Sequence, residues 1–176
     1  PQCRNVINYE THIHPMWNQP RLVFDDLGMP VVDPVTGIQL SNNCLNCHTP
    51  LDAVNNLVRV PAGQLDLADG PSVDEPMHFN AYRELLAADN AQEIVNGALV
   101  DILVITGQDE NGNDILEPVT IAPPARAAGA TASGDFFDRF DDPNDLHFNI
   151  LTKTERALLA EWLDLGAQYY NNPYDA

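Results

Sequence analysis

Apolar and polar positions along the chain follow a helical period most clearly near its C-terminal end. Leu158, Leu159, Trp162, Leu163 and Leu165 form one stripe. Thr152-Lys153-Thr154-Glu155 ahead of them is a capping box, and Gly166 after them is a natural terminator, so a final helix is predicted there. Near the other end Ile7, Ile13, Met16 and Trp17 share a helical face, and Pro15 limits the helix to its early turns, which predicts a short first helix over about residues 9 to 18. Phe79 to Ala88 reads as another helix, and Gly134 to Phe140, carrying Phe136, Phe137 and Phe140, as a short helix or turn. The middle of the chain reads differently. Asn55 to Val60 and Gln64 to Leu67 alternate weakly around Pro61-Ala62-Gly63, which predicts a small hairpin closed by Asp69-Gly70-Pro71. Ile94 to Ile105 is rich in Val, Ile and Leu, and Asn111-Gly112 is a strong tight-turn dipeptide, so residues 101 to 121 are predicted to form a second hairpin. Residues 19 to 43 are loop with a small hairpin around Asp33 to Gly37, and residues 123 to 133 are a loop of small residues. No repeat and no linker divides the chain, so a single domain over residues 1–176 is expected.

Charge narrows the choice of partners. The chain has 8 basic and 26 acidic residues and a net charge of −18. Nucleic acid is not expected as a partner, because phosphate binding needs a basic face. A field of this sign favours basic proteins and raises their association rate at low salt; it equally suits solubility in a saline or alkaline medium. No apolar run is long enough to span a bilayer, the longest (Ala98 to Ile105) being interrupted by Asp101. The chain starts at Pro1 without a signal peptide, as a mature or excised product would.

The chemistry is concentrated in Cys44-Leu45-Asn46-Cys47-His48. C-x-x-C-H is the attachment signature of a c-type haem. Positions three and four apart on a helical turn share a face, so both thiols and the imidazole point the same way. Cys44 and Cys47 can then form thioethers with the two vinyl groups of one porphyrin, while His48 supplies the proximal iron ligand. A thioredoxin-like dithiol needs a βαβ setting, which the flanks Ser41-Asn42-Asn43 and Thr49-Pro50 do not offer. A structural zinc site needs four ligands, and the remaining cysteine is Cys3, which is left free or for pairing with another chain or a removed segment. Covalent haem implies export in bacteria, because the ligation takes place outside the cytoplasm; the expected location is periplasmic or extracellular.

Three stretches together carry a family resemblance. Tyr9-Glu10-Thr11-His12-Ile13-His14-Pro15-Met16-Trp17, the pentapeptide Cys44 to His48, and Leu151-Thr152-x-x-Glu155 running into Glu161-Trp162-Leu163-Asp164-Leu165-Gly166-Ala167-Gln168-Tyr169-Tyr170 resemble haem domains related to the hydrazine synthase alpha subunit, themselves similar to planctomycete-type cytochrome c. The resemblance implies a mainly α, cytochrome c-like core in which the first and last helices cross beside one haem. It further implies a loop insertion over residues 19–43 and a β-containing insertion over residues 53–121. Hydrazine chemistry is not carried over: the family's catalytic haem is marked by a tyrosine four residues after the proximal His, and that position here is Asp52.

Function then turns on the ligand opposite His48. A Met or His closes the iron for electron transfer; an open site allows binding or catalysis. The candidates are His12, His14, Met16, Met29, Met77, His78 and His147. Related domains place their distal ligand in the loop before the last helix, commonly as Met, and by that resemblance His147, five residues ahead of the capped helix, is the substitute. Met77 and His78 lie on the approach to a helix and are alternatives. His12 and His14 are two apart, so at most one of them could face the haem, and either could ligate a haem in a neighbouring subunit. Two His ligands give a lower potential than His/Met, so a low-spin, low-potential haem is expected. One or two arginines, among Arg4, Arg21, Arg59, Arg83, Arg126 and Arg139, are expected beside the haem propionates. Asp109 to Asp114 has calcium-friendly oxygens but a misplaced glycine for an EF-hand, and reads as a solvated hairpin tip. The sequence therefore points to an electron-transfer module with one haem. A haem enzyme or small-ligand sensor, and a subunit of a multi-haem assembly or filament, are the alternatives.

Overall fold

The computed structural model describes residues 6–25, 27–52 and 54–170. The expectations attached to Cys3, Arg4 and the tail beyond Tyr170 lie outside them. The helices are α1 (Asn80–Leu86), α2 (Gly134–Asp138) and α3 (Lys153–Asp164). The strands are β1 (Arg21–Leu22), β2 (Ser41–Asn42), β3 (Leu51–Asp52), β4 (Leu57–Val58), β5 (Asp89–Asn90), β6 (Gln92–Val95), β7 (Ala98–Asp101), β8 (Leu103–Gln108), β9 (Asp114–Pro118) and β10 (Thr120–Ile121).

This corrects the mainly α, cytochrome c-like expectation. Helix and strand are nearly equal, at 25% and 23%. Among the described residues the strands form separate two-stranded antiparallel ladders: β1–β2, β3–β4, β5–β10, β6–β7 and β8–β9. The physical reason is the density of Asn, Asp, Gly and Pro between residues 19 and 125. Turn residues punctuate the chain every few positions there and leave no room for helices of three or more turns. Contacts gather the chain into two compact units, Pro1–Cys47 with Ala127–Ala176, and His48–Arg126.

The first unit is built around Tyr9. Asn8 caps a single wide turn, Tyr9–Ile13, and Pro15 sits in the 3-10 turn His14–Met16 that follows, which accounts for the short first helix. Tyr9 is fully buried, and its hydroxyl accepts the Trp17 Nε1–H at 3.0 Å. Its ring lies 5.5 Å from that of Trp162 on α3 and stacks on Tyr169 at 5.8 Å. Helix α3 begins with the capping box Thr152/Glu155 and buries Leu159, Trp162 and Leu163. Gly166 and Ala167, at φ +89° and +51°, then turn the chain sharply, so that the Tyr169 C=O accepts the Tyr9 N–H at 2.9 Å. Phe136, Phe140 and Leu151 complete this core. An Arg21–Glu155 ion pair at 2.8 Å ties β1 to the start of α3, and Arg21 also donates to the carbonyls of Met16 and Gln19.

The second unit has a thinner core of Leu67, Ala81, Leu85, Ala91 and Ala125. The hairpin expected around Pro61-Ala62-Gly63 does not form. Asp52 instead accepts the N–H groups of Val54 and Asn55, and this Asx-type turn pairs β3 with β4 one step earlier in the chain. Residues 62–64 become a 3-10 turn. The apolar run 94–105 is divided by Asn96 and Gly97, at φ +53° and +81°, the pair of left-handed residues that a two-residue hairpin turn requires. Hairpin β8–β9 is present, but Asp109 organises its tip by accepting from Asn111 and Asn113. Asp114 Oδ1 accepts from Gln108 Nε2 at 3.0 Å across the same hairpin.

Tyr9→Phe removes the acceptor for a buried indole N–H. Unfolding by denaturant should show a loss of about 1–3 kcal/mol, the cost of stranding a buried donor. A change within error would mean that Trp17 finds another acceptor.

Candidate functional site

The chain passes from the first unit to the second between Cys47 and His48. On the cysteine side, Cys44–Asn46 is a single 3-10 turn capped by Asn43, whose side chain accepts the Asn46 N–H at 2.9 Å. The Cys44 N–H donates to the Trp17 C=O at 3.0 Å, and Asn43 donates to the Asn18 side chain at 3.0 Å, so the first helical segment is fastened to the cysteine turn. Both thiols are free; Cys44 is half-buried and Cys47 exposed. Burial pushes the Cys44 thiol up, the Arg21 charge opposes this and Glu155 reinforces it. Cys44 is thus a neutral thiol at neutral pH, the opposite of the depressed thiol that dithiol redox motifs use.

On the histidine side, the His48 ring is half-buried with Nδ1 3.3 Å from the Leu65 carbonyl oxygen. A carbonyl only accepts, so Nδ1 carries the proton and the lone pair is on Nε2. That tautomer and that restraint are what a metal-ligating histidine needs. The main chain adds a second point, since the His48 C=O accepts the Leu67 N–H at 2.8 Å. The Arg59 side chain donates to the Thr49 carbonyl at 3.0 Å and to its hydroxyl at 2.9 Å, which stiffens the segment just after His48.

The strand-like segment that holds His48 is itself anchored. The Gln64 side chain exchanges two hydrogen bonds with the Gln92 backbone, at 2.9 and 3.0 Å. The Asp66 N–H donates to the Glu84 carboxyl group on α1. Asn80 donates to Glu84 at 2.8 Å and to Asp66 at 3.3 Å. Burial pushes Glu84 up to about 7; the hydrogen bonds from Asp66 and Asn80 oppose the shift, and the charges of Asp66 and Asp89 add to it. Nothing in the residue pattern marks Leu65 or Glu84, because a carbonyl carries no residue type and Glu84 sits in an ordinary helical run.

The distal candidates are scattered. His147, in the first unit, is half-buried, with Nδ1 2.7 Å from Asp145 Oδ1 and its ring edge-on to Phe140 at 6.0 Å. Hydrogen bonds from the His147 backbone and ring hold the Asp145 carboxyl below its usual range. A carboxylate is one of the usual outer partners of a ligating histidine. His12 is exposed, its Nδ1 accepting the Asn8 N–H at 3.3 Å, while His14 is buried with Nδ1 3.4 Å from the Tyr9 hydroxyl. Met16 is buried, whereas Met29 and Met77 are 60% and 71% exposed. His78, in the second unit, lies edge-on to Tyr82 at 5.1 Å.

Of the arginines, Arg21 is paired with Glu155 and Arg59 holds Thr49, while Arg83 reaches Asp74 at 3.9 Å. Among the described residues no group of three or more His, Cys, Asp or Glu side chains converges as a metal site. A haem brings four nitrogens of its own and asks only for axial ligands and, here, two thiols; Cys44, Cys47 and the restrained His48 fit that demand. Among the described residues no helix is long and apolar enough to cross a membrane. No family model, curated protein or solved structure matches the chain significantly.

Glu84 gives the fold a pH dependence of definite sign. With its carboxyl raised from 4.5 to about 7, the folded state binds more protons than the unfolded state between those values. Its contribution to stability is complete below pH 4.5 and is lost as pH rises through about 7. Denaturant titrations across that window should show the decline, and Glu84→Gln should flatten it.

Proposed function

We propose that this chain is an exported electron-transfer protein that carries one haem c, bonded through Cys44 and Cys47 and ligated by His48. The observation that carries the reading is the C-x-x-C-H sequence together with the restraint of His48 Nδ1 by the Leu65 carbonyl at 3.3 Å. The haem supplies the one-electron chemistry, and the chain supplies attachment, axial ligation and charge. His147 is the proposed distal ligand, supported by its Asp145-bound Nδ1. With two imidazoles the site is closed to exogenous ligands, which favours electron transfer over catalysis or sensing. The net charge of −18 suits a basic redox partner, with association slowed by salt. The resemblance to hydrazine synthase-related haem domains supports the cofactor and not a fold or a reaction.

Intact mass and a pyridine haemochrome spectrum test the attachment. The mass should exceed that of the amino acids by one haem, with the spectrum of a haem bonded through two thioethers; an apoprotein mass without Soret absorbance overturns the reading. The reduced protein should be low-spin and should not bind CO rapidly, whereas His147→Ala should give a CO-binding, high-spin form. Rapid CO binding by the wild type would favour the sensor or enzyme alternative.

A second reading, as a subunit of a larger haem assembly, is favoured by hairpin β8–β9. Leu103, Val104, Ile105, Ile115 and Leu116 on it are all 42–63% exposed, an apolar ribbon that no other described residue covers. Native mass spectrometry should then show oligomers, and a monomer at micromolar concentration would dispose of this second role.

A further inference from the structure

One peptide group in the second unit is hydrogen-bonded at both ends. The C=O of the Leu65–Asp66 peptide faces His48 Nδ1 at 3.3 Å, and the N–H of the same peptide donates to the Glu84 carboxyl group. Hydrogen bonds in a chain polarise one another. An anion accepting from the N–H end pushes electron density towards the carbonyl oxygen, which becomes a stronger acceptor for the His48 Nδ1–H. A stronger acceptor there raises the basicity of the ligating nitrogen on the far side of the ring. A more basic ligand favours the oxidised metal.

We propose that Glu84 is a positioning residue for His48 that acts through the Leu65–Asp66 peptide, so that arrival of one electron at an iron held by His48 is coupled to uptake of one proton by Glu84. The inference rests on the haem reading above and deepens it. The electron comes from the redox partner and the proton from solvent. Glu84 passes from carboxylate to carboxylic acid, and no other bond changes.

The surroundings suit this role. Glu84 is held on α1 by Asn80, whose amide donates to it at 2.8 Å and reaches Asp66 at 3.3 Å. The charged groups that face it are Asp66, from the segment that carries the peptide, and Asp89, from β5; both oppose its ionisation. Together with burial they bring its ionisation to about 7, where a modest change in the polarisation of the peptide decides whether the proton is bound.

The test is the reduction potential of the intact haem-loaded protein, measured by spectroelectrochemistry from well below to well above pH 7. The wild type should lose potential as pH rises through neutrality. A tenfold difference in the proton affinity of Glu84 between the two oxidation states corresponds to about 59 mV for a one-electron couple. Glu84→Gln should remove that step and hold the potential at the upper, low-pH value. Asp89→Asn, which removes a facing charge but leaves the peptide intact, should keep the step and move it to lower pH. A flat wild-type profile, or the same step in Glu84→Gln as propionate titration would give, overturns the proposal while leaving the haem reading in place. If Glu84→Gln does not fold, redox-difference infrared spectra of the wild type decide. Reduction near neutrality should produce a protonated carboxyl band, and its absence overturns the proposal. Absence of Soret absorbance overturns the haem reading and this inference with it.

Discussion

The hydrogen bond from His48 Nδ1–H to the Leu65 carbonyl is the constraint on which the proposed haem ligation depends. An imidazole free to rotate or to exchange tautomers is a poor axial ligand, and one whose distal nitrogen is fixed on the backbone is a good one. Several contacts of the second unit hold the segment that carries that carbonyl. Gln64 ties its segment to β6, Leu67 returns to the His48 carbonyl, and Glu84 with Asn80 grips the following peptide from α1. This matters because the apolar core of the unit is mostly alanine and leucine and contributes little burial. Polar contacts of side chain and backbone take over part of the work that large side chains do elsewhere.

The first unit solves its own problem by different means. Its aromatic cluster of Tyr9, Trp17, Trp162 and Tyr169 buries large rings and satisfies every indole N–H, through the Tyr9 hydroxyl and the Gln168 carbonyl. The cysteine turn is fastened to this rigid base by the Cys44–Trp17 and Asn43–Asn18 hydrogen bonds. A cofactor bonded there would be anchored to the best-packed part of the unit, so little rearrangement would accompany a change in its charge.

The elements legible in the sequence were those with local causes. The Thr152/Glu155 box, the stripe on α3, the brevity of the first helix at Pro15 and the helix near Tyr82 all follow from residues within a few positions of one another. The middle of the chain was read less well. Asn96-Gly97 was hidden inside a run that looked continuously apolar, and Asp52 displaced a hairpin expected around Pro61 by capping an earlier turn. The mainly α expectation came from resemblance at the two ends and the haem motif, and the ends say nothing about the β-rich stretch between them. At the proposed site, Cys44, Cys47 and His48 stand out by their spacing, whereas Leu65 and Glu84 come from contacts 17 and 18 residues apart in sequence that no period announces.

The spacing that suits a porphyrin also suits a disulfide. Cα atoms three residues apart on a helical turn lie within the range that a sulfur–sulfur bond can bridge, and Cys47 is open to solvent on the turn that begins at Cys44. In an oxidising compartment the two thiols would close on each other and leave nothing to add to a vinyl group. If a porphyrin is bonded there, as proposed, an electron supply would have to act first, and the order of the two events, reduction and then ligation, would follow from a single turn of backbone.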